Sequence, residues 1–435
     1  METPSPDSLH LILPVPARKP SLFAPEPAGD LWEAGGITAF FFLLRCFGIF
    51  PCHQACRPRG GVSQFRAWQL LLVILTIAAT VLDTWKSLVR YKNRISSLEF
   101  TALAMMITRL FFGLKCFLTI VKICRMSDRL KSLLVQLNTL CNEDTEKRRM
   151  RRQINRLALA CFAFGLASLV AIWLAAYWSF SLIVNRMTTD GGWTGDTPNP
   201  LLGRVPVWVT FVLYLVAFTI HVGVDVFAQL LLVLLVYPLG LHFRQLAVGL
   251  TAPPGGWPEG YVGQATTRHL QLTSVVRTVN RHFSMVLLLM YLADLMGFIT
   301  TTSLGLHRDS TKEYIDVELL PVFIGLVLIS GMNALLRTGF AVWLSEKAHS
   351  VLPYLHEAQL RAVREDDRFL CGIFVARLQG TRIALTAGGF FYVTREFVIT
   401  MFGILLTYVL FVYQMEDKKM DVASLSGLPR LMLAV

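Results

Sequence analysis

Few residues of this 435-residue chain are spaced to make or break bonds. His221 and Asp225 stand four apart within an apolar stretch, so they share one helix face. That spacing suits a proton relay, half of an intramembrane metal site, or a polar contact between helices, and the last is the commonest use of such a pair. Cys52, His53 and Cys56 crowd a loop rich in Gly, Pro and Arg. A zinc site would need a fourth ligand and a second cluster at suitable spacing, so no metal is expected. HExxH, GxSxG, Walker and strand–helix GxGxxG patterns are absent, and neither catalysis nor a cofactor is expected. The charges that stand out lie inside apolar stretches: Asp83, Arg109, Lys115, Asp225 and Asp294. An ion in hydrocarbon needs a partner or water. Arg109 has Asp83, Asp225 and Asp294 as candidate partners, and pairing between helices is expected over contact with a ligand.

A membrane accounts for these placements. Hydrophobic residues make up 54% of the chain and charged ones 16%, against about 25% charged in soluble proteins. Seven apolar windows follow one another, at 67–89, 99–122, 157–184, 207–236, 284–305, 319–344 and 396–415. About twenty apolar residues cover the ~30 Å of a bilayer core, so the fold expected is all-α with seven transmembrane helices. Lys and Arg divide 28 to 10 between alternate sides of the windows. The positive-inside rule then places the N-terminus in the cytosol and the C-terminus outside the plasma membrane. The net charge of +12 is mostly this topology signal, and nucleic-acid binding is not expected from it. Residues 1–30 hold seven prolines and four acidic residues without an apolar core, and read as a disordered cytosolic tail rather than a signal peptide. The eight cysteines fall within windows or on the cytosolic side, where disulfides are not expected.

Residues 31–344 carry a short apolar segment and the first six windows. A cytosolic anchor at 345–395, the seventh span at 396–415 and an extracellular tail at 416–435 complete the chain. Segment 31–51 is apolar for only about fourteen residues, which suits a re-entrant or interfacial helix. Within 125–156, Leu130, Leu133, Leu134 and Leu137 mark one apolar helix face, read as part of a cytosolic bundle. The run 207–249 would form one helix of ~60 Å, twice the bilayer core, and stops at the breaker APPGGWPEG. Helix resumes over 266–282 into the fifth window. Residues 346–379 predict one cytosolic helix leading to Gly388-Gly389.

Two groups could serve function. Near the outer ends of their spans lie Trp173, Tyr177, Trp178 and Ser181, then Trp208, Phe211 and Tyr214, then Thr300, Thr301 and Thr302. Apolar and aromatic walls with a few polar groups are the composition of a small-molecule pocket. Trp and Tyr also form interfacial belts at this depth. In the seventh span, helical steps back from Gln414 reach Leu410, Leu406, Gly403 and Ile399 on one stripe. Such a stripe can gate a pore by dewetting, with an amide ring at its mouth. A buried helix whose Gln414 bonds a neighbour has the same periodicity.

The seventh span carries Thr407-Tyr408, five apolar residues, then Gln414, preceded by Gly388-Gly389-Phe390-Phe391. This resembles the C-terminal signature of the insect chemoreceptor superfamily, and of its gustatory receptors in particular. Met415 departs from the Phe usual in that signature. Val409 departs from the Glu that follows Thr-Tyr in receptors for sugars other than fructose, so the resemblance does not place the chain among them. The resemblance implies a tetramer, of this chain alone or with related receptor subunits, gated by a small-molecule tastant and passing cations non-selectively. It implies ligand binding in the outer half of each subunit, seventh spans around a shared pore, and Thr407 and Tyr408 packed between helices or subunits. An odorant receptor of the same superfamily is the alternative. A G-protein-coupled receptor is disfavoured by orientation and by missing DRY and NPxxY motifs, and a transporter lacks internal repeats in its favour.

Overall fold

In a computed structural model, residues 35–47, 67–75, 77–78, 81, 100–140, 144–189, 207–251, 258–306, 320–361 and 364–426 are described, and nearly all are helical. The helices are α1 (Gly35–Cys46), α2 (Phe100–Thr139), α3 (Asp144–Thr189), α4 (Val207–Gly249), α5 (Tyr261–Leu306), α6 (Leu320–His349), α7 (Val351–Arg361), α8 (Glu365–Gly380) and α9 (Arg395–Ser426). Two short strands, β1 (Thr386–Ala387) and β2 (Phe391–Tyr392), pair antiparallel before α9. Among the described residues, five stretches are long and apolar enough to cross a membrane: Lys147–Ala175, Val222–Gly249, Tyr261–Thr300, Val327–Leu360 and Arg395–Gln414. The window 99–122 is the first half of α2. Of the window 67–89, residues 67–75, 77–78 and 81 are described and helical, and the tail at 1–30 lies outside the described residues.

α4 is the hub. It is apolar all round, and such a helix must be buried on every side. It touches α2, α3, α5, α6 and α7. Pro238 removes one backbone donor inside it, a loss of ~3 kcal/mol in an isolated helix. The helix still runs on to Gly249, because Leu234, Leu235, Leu239 and Phe243 are fully buried around the break. Gly240 presses against the Trp343 ring of α6, where any side chain would collide. Midway along α4, the buried Phe40 of α1 and Phe47 just after it pack on Phe227, with ring centroids 6.2 and 4.9 Å away.

The expected apolar face of α2 holds: Leu130, Leu133, Leu134 and Leu137 are all buried. The single helix predicted over 346–379 does not. It is three pieces: the end of α6, then α7, then α8. Pro353 explains the first break, since it has no N–H to bond the carbonyl of His349, where α6 ends. α9 likewise runs past the expected end at 415 to Ser426.

Candidate functional site

The intramembrane charges find partners across helices. Lys115 of α2, 2% exposed, meets Asp225 of α4 at 2.8 Å. Arg337 of α6, with a fully buried side chain, pairs with Asp294 of α5. Asp225 and Asp294 are thus matched by Lys115 and Arg337, whereas the side chains of Arg109, Asp83 and His221 lie outside the described residues. Arg337 falls inside the sixth window, 319–344, yet belongs to the 28 basic residues assigned to the cytosolic side. Burial in an ion pair corrects that placement, and the basic-residue asymmetry survives its removal.

Arg337 also lies over the ring of Tyr291, 4.5 Å from guanidinium to centroid. The Tyr291 hydroxyl is 3.0 Å from Thr338 Oγ1, so both ends of this buried ring are held by α6. Its edge meets Phe391 of β2 at 6.0 Å and Phe397 of α9 at 5.3 Å. Those two rings stack on each other, 4.4 Å apart. One aromatic cluster therefore ties α5 and α6 to the base of α9.

The turn beside it is pinned to α5. Gly388 and Gly389 have φ of 63° and 80°, the left-handed conformation that glycine adopts without strain. The Gly388 N–H donates to the Ser284 carbonyl at 2.8 Å, and the Thr386 N–H to Asn280 Oδ1 at 2.7 Å. The Gly-Gly break seen in the sequence is a docked hairpin turn.

Above this base α9 stands nearly free. The Tyr408 hydroxyl donates to the Ile299 carbonyl of α5 at 3.4 Å, and Val412 is buried on the same side. Ile399, Leu406 and Leu410 are 71, 50 and 52% exposed, and Gly403 and Gln414 are exposed too. At ~100° per residue these five occupy an arc of about 80°, opposite Phe397, Tyr408 and Val412. The stripe therefore points away from its own subunit. Beside it runs an open groove of about 580 Å³ lined by Thr400, Gly403, Ile404, Thr407, Tyr408 and Phe411.

The outer cluster is less concentrated than its sequence suggested. Trp173, Tyr177 and Trp178 are 51, 64 and 57% exposed on α3, while Ile172 faces inward. Trp173 Nε1 donates to Thr219 Oγ1 of α4 at 2.8 Å, a partner not singled out from sequence. The Ser181 hydroxyl donates to the Trp178 carbonyl at 2.8 Å. Phe211 and Tyr214 on α4 and Thr301 on α5 are helical, with side chains outside the described residues. Next to Thr301, Thr300 is buried and lies 2.6 Å from Thr108 of α2, oxygen to oxygen.

Comparison with known proteins bears on the family and the fold. A family model described as trehalose receptor matches residues 30–423. The structure of the insect olfactory receptor OR5 from Machilis hrabei is similar in fold, with a TM-score of 0.67 at 15% identity, covering 87% of this chain and 97% of that one. The same receptor in complex with eugenol gives 0.66 at 15% identity, covering 86 and 97%. No curated protein sequence matches. With the family model spanning nearly the whole chain and the Thr407-Tyr408…Gln414 signature in place, the chain belongs to the trehalose receptor family of insect gustatory receptors, whose members are receptors and not enzymes.

Proposed function

We propose that this chain is a subunit of a tetrameric, ligand-gated cation channel opened by a small-molecule tastant. The observation that carries the proposal is α9: an apolar stripe ending in Gln414, turned away from its own subunit. An amide in lipid is costly unless it meets water or a partner. Four copies around an axis give Gln414 a wet ring and give Ile399, Gly403, Leu406 and Leu410 a common pore lining. An amide ring replaces part of a cation's hydration shell but holds it weakly, which suits permeation with little selectivity.

Seven spans, a cytosolic N-terminus and an extracellular C-terminus complete the reading, on the strength of the basic-residue split. Assembly is assigned to the cytosolic helices. Leu360, Phe369 and Ile373 of α7 and α8 are 84, 70 and 49% exposed, an apolar surface that suits other subunits, alike or related. The ligand is assigned to the outer cluster of Trp173, Tyr177, Trp178, Ser181, Phe211, Tyr214 and Thr301. The family description favours a sugar such as trehalose, and the likeness to an olfactory receptor supports an odorant as second reading. Ligand opens the pore only by as much as it binds the open state better.

The test is ionic current from cells expressing this chain, alone and with related subunits, under a panel of trehalose, other sugars, bitter compounds and odorants. The expected result is a ligand-evoked current that does not distinguish Na⁺ from K⁺. A ligand-evoked G-protein response without current contradicts the channel.

A further inference from the structure

Where α2 and α5 leave the apolar windows they carry an unusual set of cations. Lys122, Arg125 and Arg129 follow at i, i+3 and i+7 on one face of α2, and Arg277 and Arg281 lie one turn apart on α5. None of the five makes an ion pair among the described residues. Asp128 is the lone acid in the two stretches.

The two sets converge. Thr108 of α2 bonds Thr300 of α5 at 2.6 Å, and the charges of Lys122, Arg129 and Arg281 all bear on the buried His282. Moving up α2 is thus moving down α5, so the helices run antiparallel. From the threonine pair to Lys122 is about 21 Å along α2, and to His282 about 27 Å along α5. Both stretches reach the same level, at the ends of the apolar windows 99–122 and 284–305, where headgroup phosphates lie. α3 is also basic ahead of its window at 157–184, and its Lys147, Arg148 and Arg149 lie eight to ten residues before that window, farther out than any of these five.

We infer that Lys122, Arg125, Arg129, Arg277 and Arg281 form a site for the multiply phosphorylated headgroup of an anionic phospholipid in the cytosolic leaflet. The spread of Lys122 to Arg129, about 10 Å along the axis, spans more than one phosphate. Basic pockets between helices at this depth are suited to such headgroups, and Arg presents a planar fork to phosphate oxygens. The leaflet rests on the orientation proposed above; the headgroup chemistry does not.

The test uses full-length receptor in phosphatidylcholine nanodiscs doped with phosphatidylinositol bisphosphate, with retained lipid counted by native mass spectrometry. Nanodiscs offer both faces, so the result is independent of orientation, which an epitope tag after Val435 reports separately. Wild type should retain the doped lipid, and Arg125→Gln/Arg129→Gln/Arg281→Gln should lose it at least tenfold with its unfolding temperature in undoped discs unchanged. The charge-preserving Lys triple at the same positions should retain most of it. Lys147→Gln/Arg148→Gln/Arg149→Gln, farther from the window on α3, should bind as wild type. No retention by wild type, or equal loss in both Gln triples, overturns the site. Full displacement by equimolar soluble inositol trisphosphate overturns the lipid assignment in favour of a free polyphosphate.

Discussion

α4 and α9 are similarly apolar helices in opposite surroundings. Of an apolar 18-residue window within Val222–Gly249, 83% is buried within the subunit; of the matching window within Arg395–Gln414, 6% is. α4 offers glycine where Trp343 must approach and places large side chains against every neighbour. α9 touches its own subunit at Phe397, Tyr408 and Val412 and leaves Ile399, Leu406, Leu410 and Phe411 outside. Composition alone does not separate a subunit's core from a surface held for lipid, pore or sister chains. The contacts do: α9 is held at its base by the aromatic cluster and the Arg395–Glu346 ion pair and higher up by Tyr408 and Val412, and turns its remaining face outward.

The largest effect tests the core side of that contrast. Removing one member of the buried pair, Arg337→Ala or Asp294→Ala, should cost ~3–5 kcal/mol because the other charge is stranded. Arg337→Met with Asp294→Leu should recover most of it. Thermal unfolding in detergent reads both, and a mild single mutant would mean the pair is wet.

A matched pair of truncations compares the helices directly. Leu235→Ala in α4 should cost ~2–5 kcal/mol, whereas Leu406→Ala in α9 should stay within about 0.5 kcal/mol. Equal losses would show that α9 is core. At the docked turn, Gly388→Ala must adopt a left-handed backbone and place its Cβ 2.5 Å from Leu288, so a cost above ~1 kcal/mol is expected. Increased hydrogen exchange over 386–397, and not in α4, would locate the damage. Tyr291→Phe keeps the ring stack and removes the bond to Thr338, for ~1 kcal/mol in the same unfolding assay.

Much of the frame was legible in the chain because its signals are local. The leucine face of α2, the length of α4 and the break at Gly388-Gly389 depend on residues within a few turns. Pairing was not. Which base meets Asp225 or Asp294 depends on how two distant helices align, and nothing near Arg337 distinguishes a buried partner from an interfacial charge. Tyr291 was invisible for the same reason, since its neighbours Arg337, Phe391 and Phe397 come from three other elements. The exposure of Tyr177 and Trp178 was also beyond reach, because belts and pockets recruit the same side chains. The exposed stripe of α9 lies between these cases. Periodicity located it, but only the position of α5 shows which way it points.

The central claim is that α9 lines a conducting path, and Gln414→Arg tests it most directly. Four positive charges at the constriction should abolish cation current while surface delivery, measured on the same cells, stays at wild-type level. Normal current per surface receptor in Gln414→Arg would contradict the account and return α9 to a lipid-facing helix.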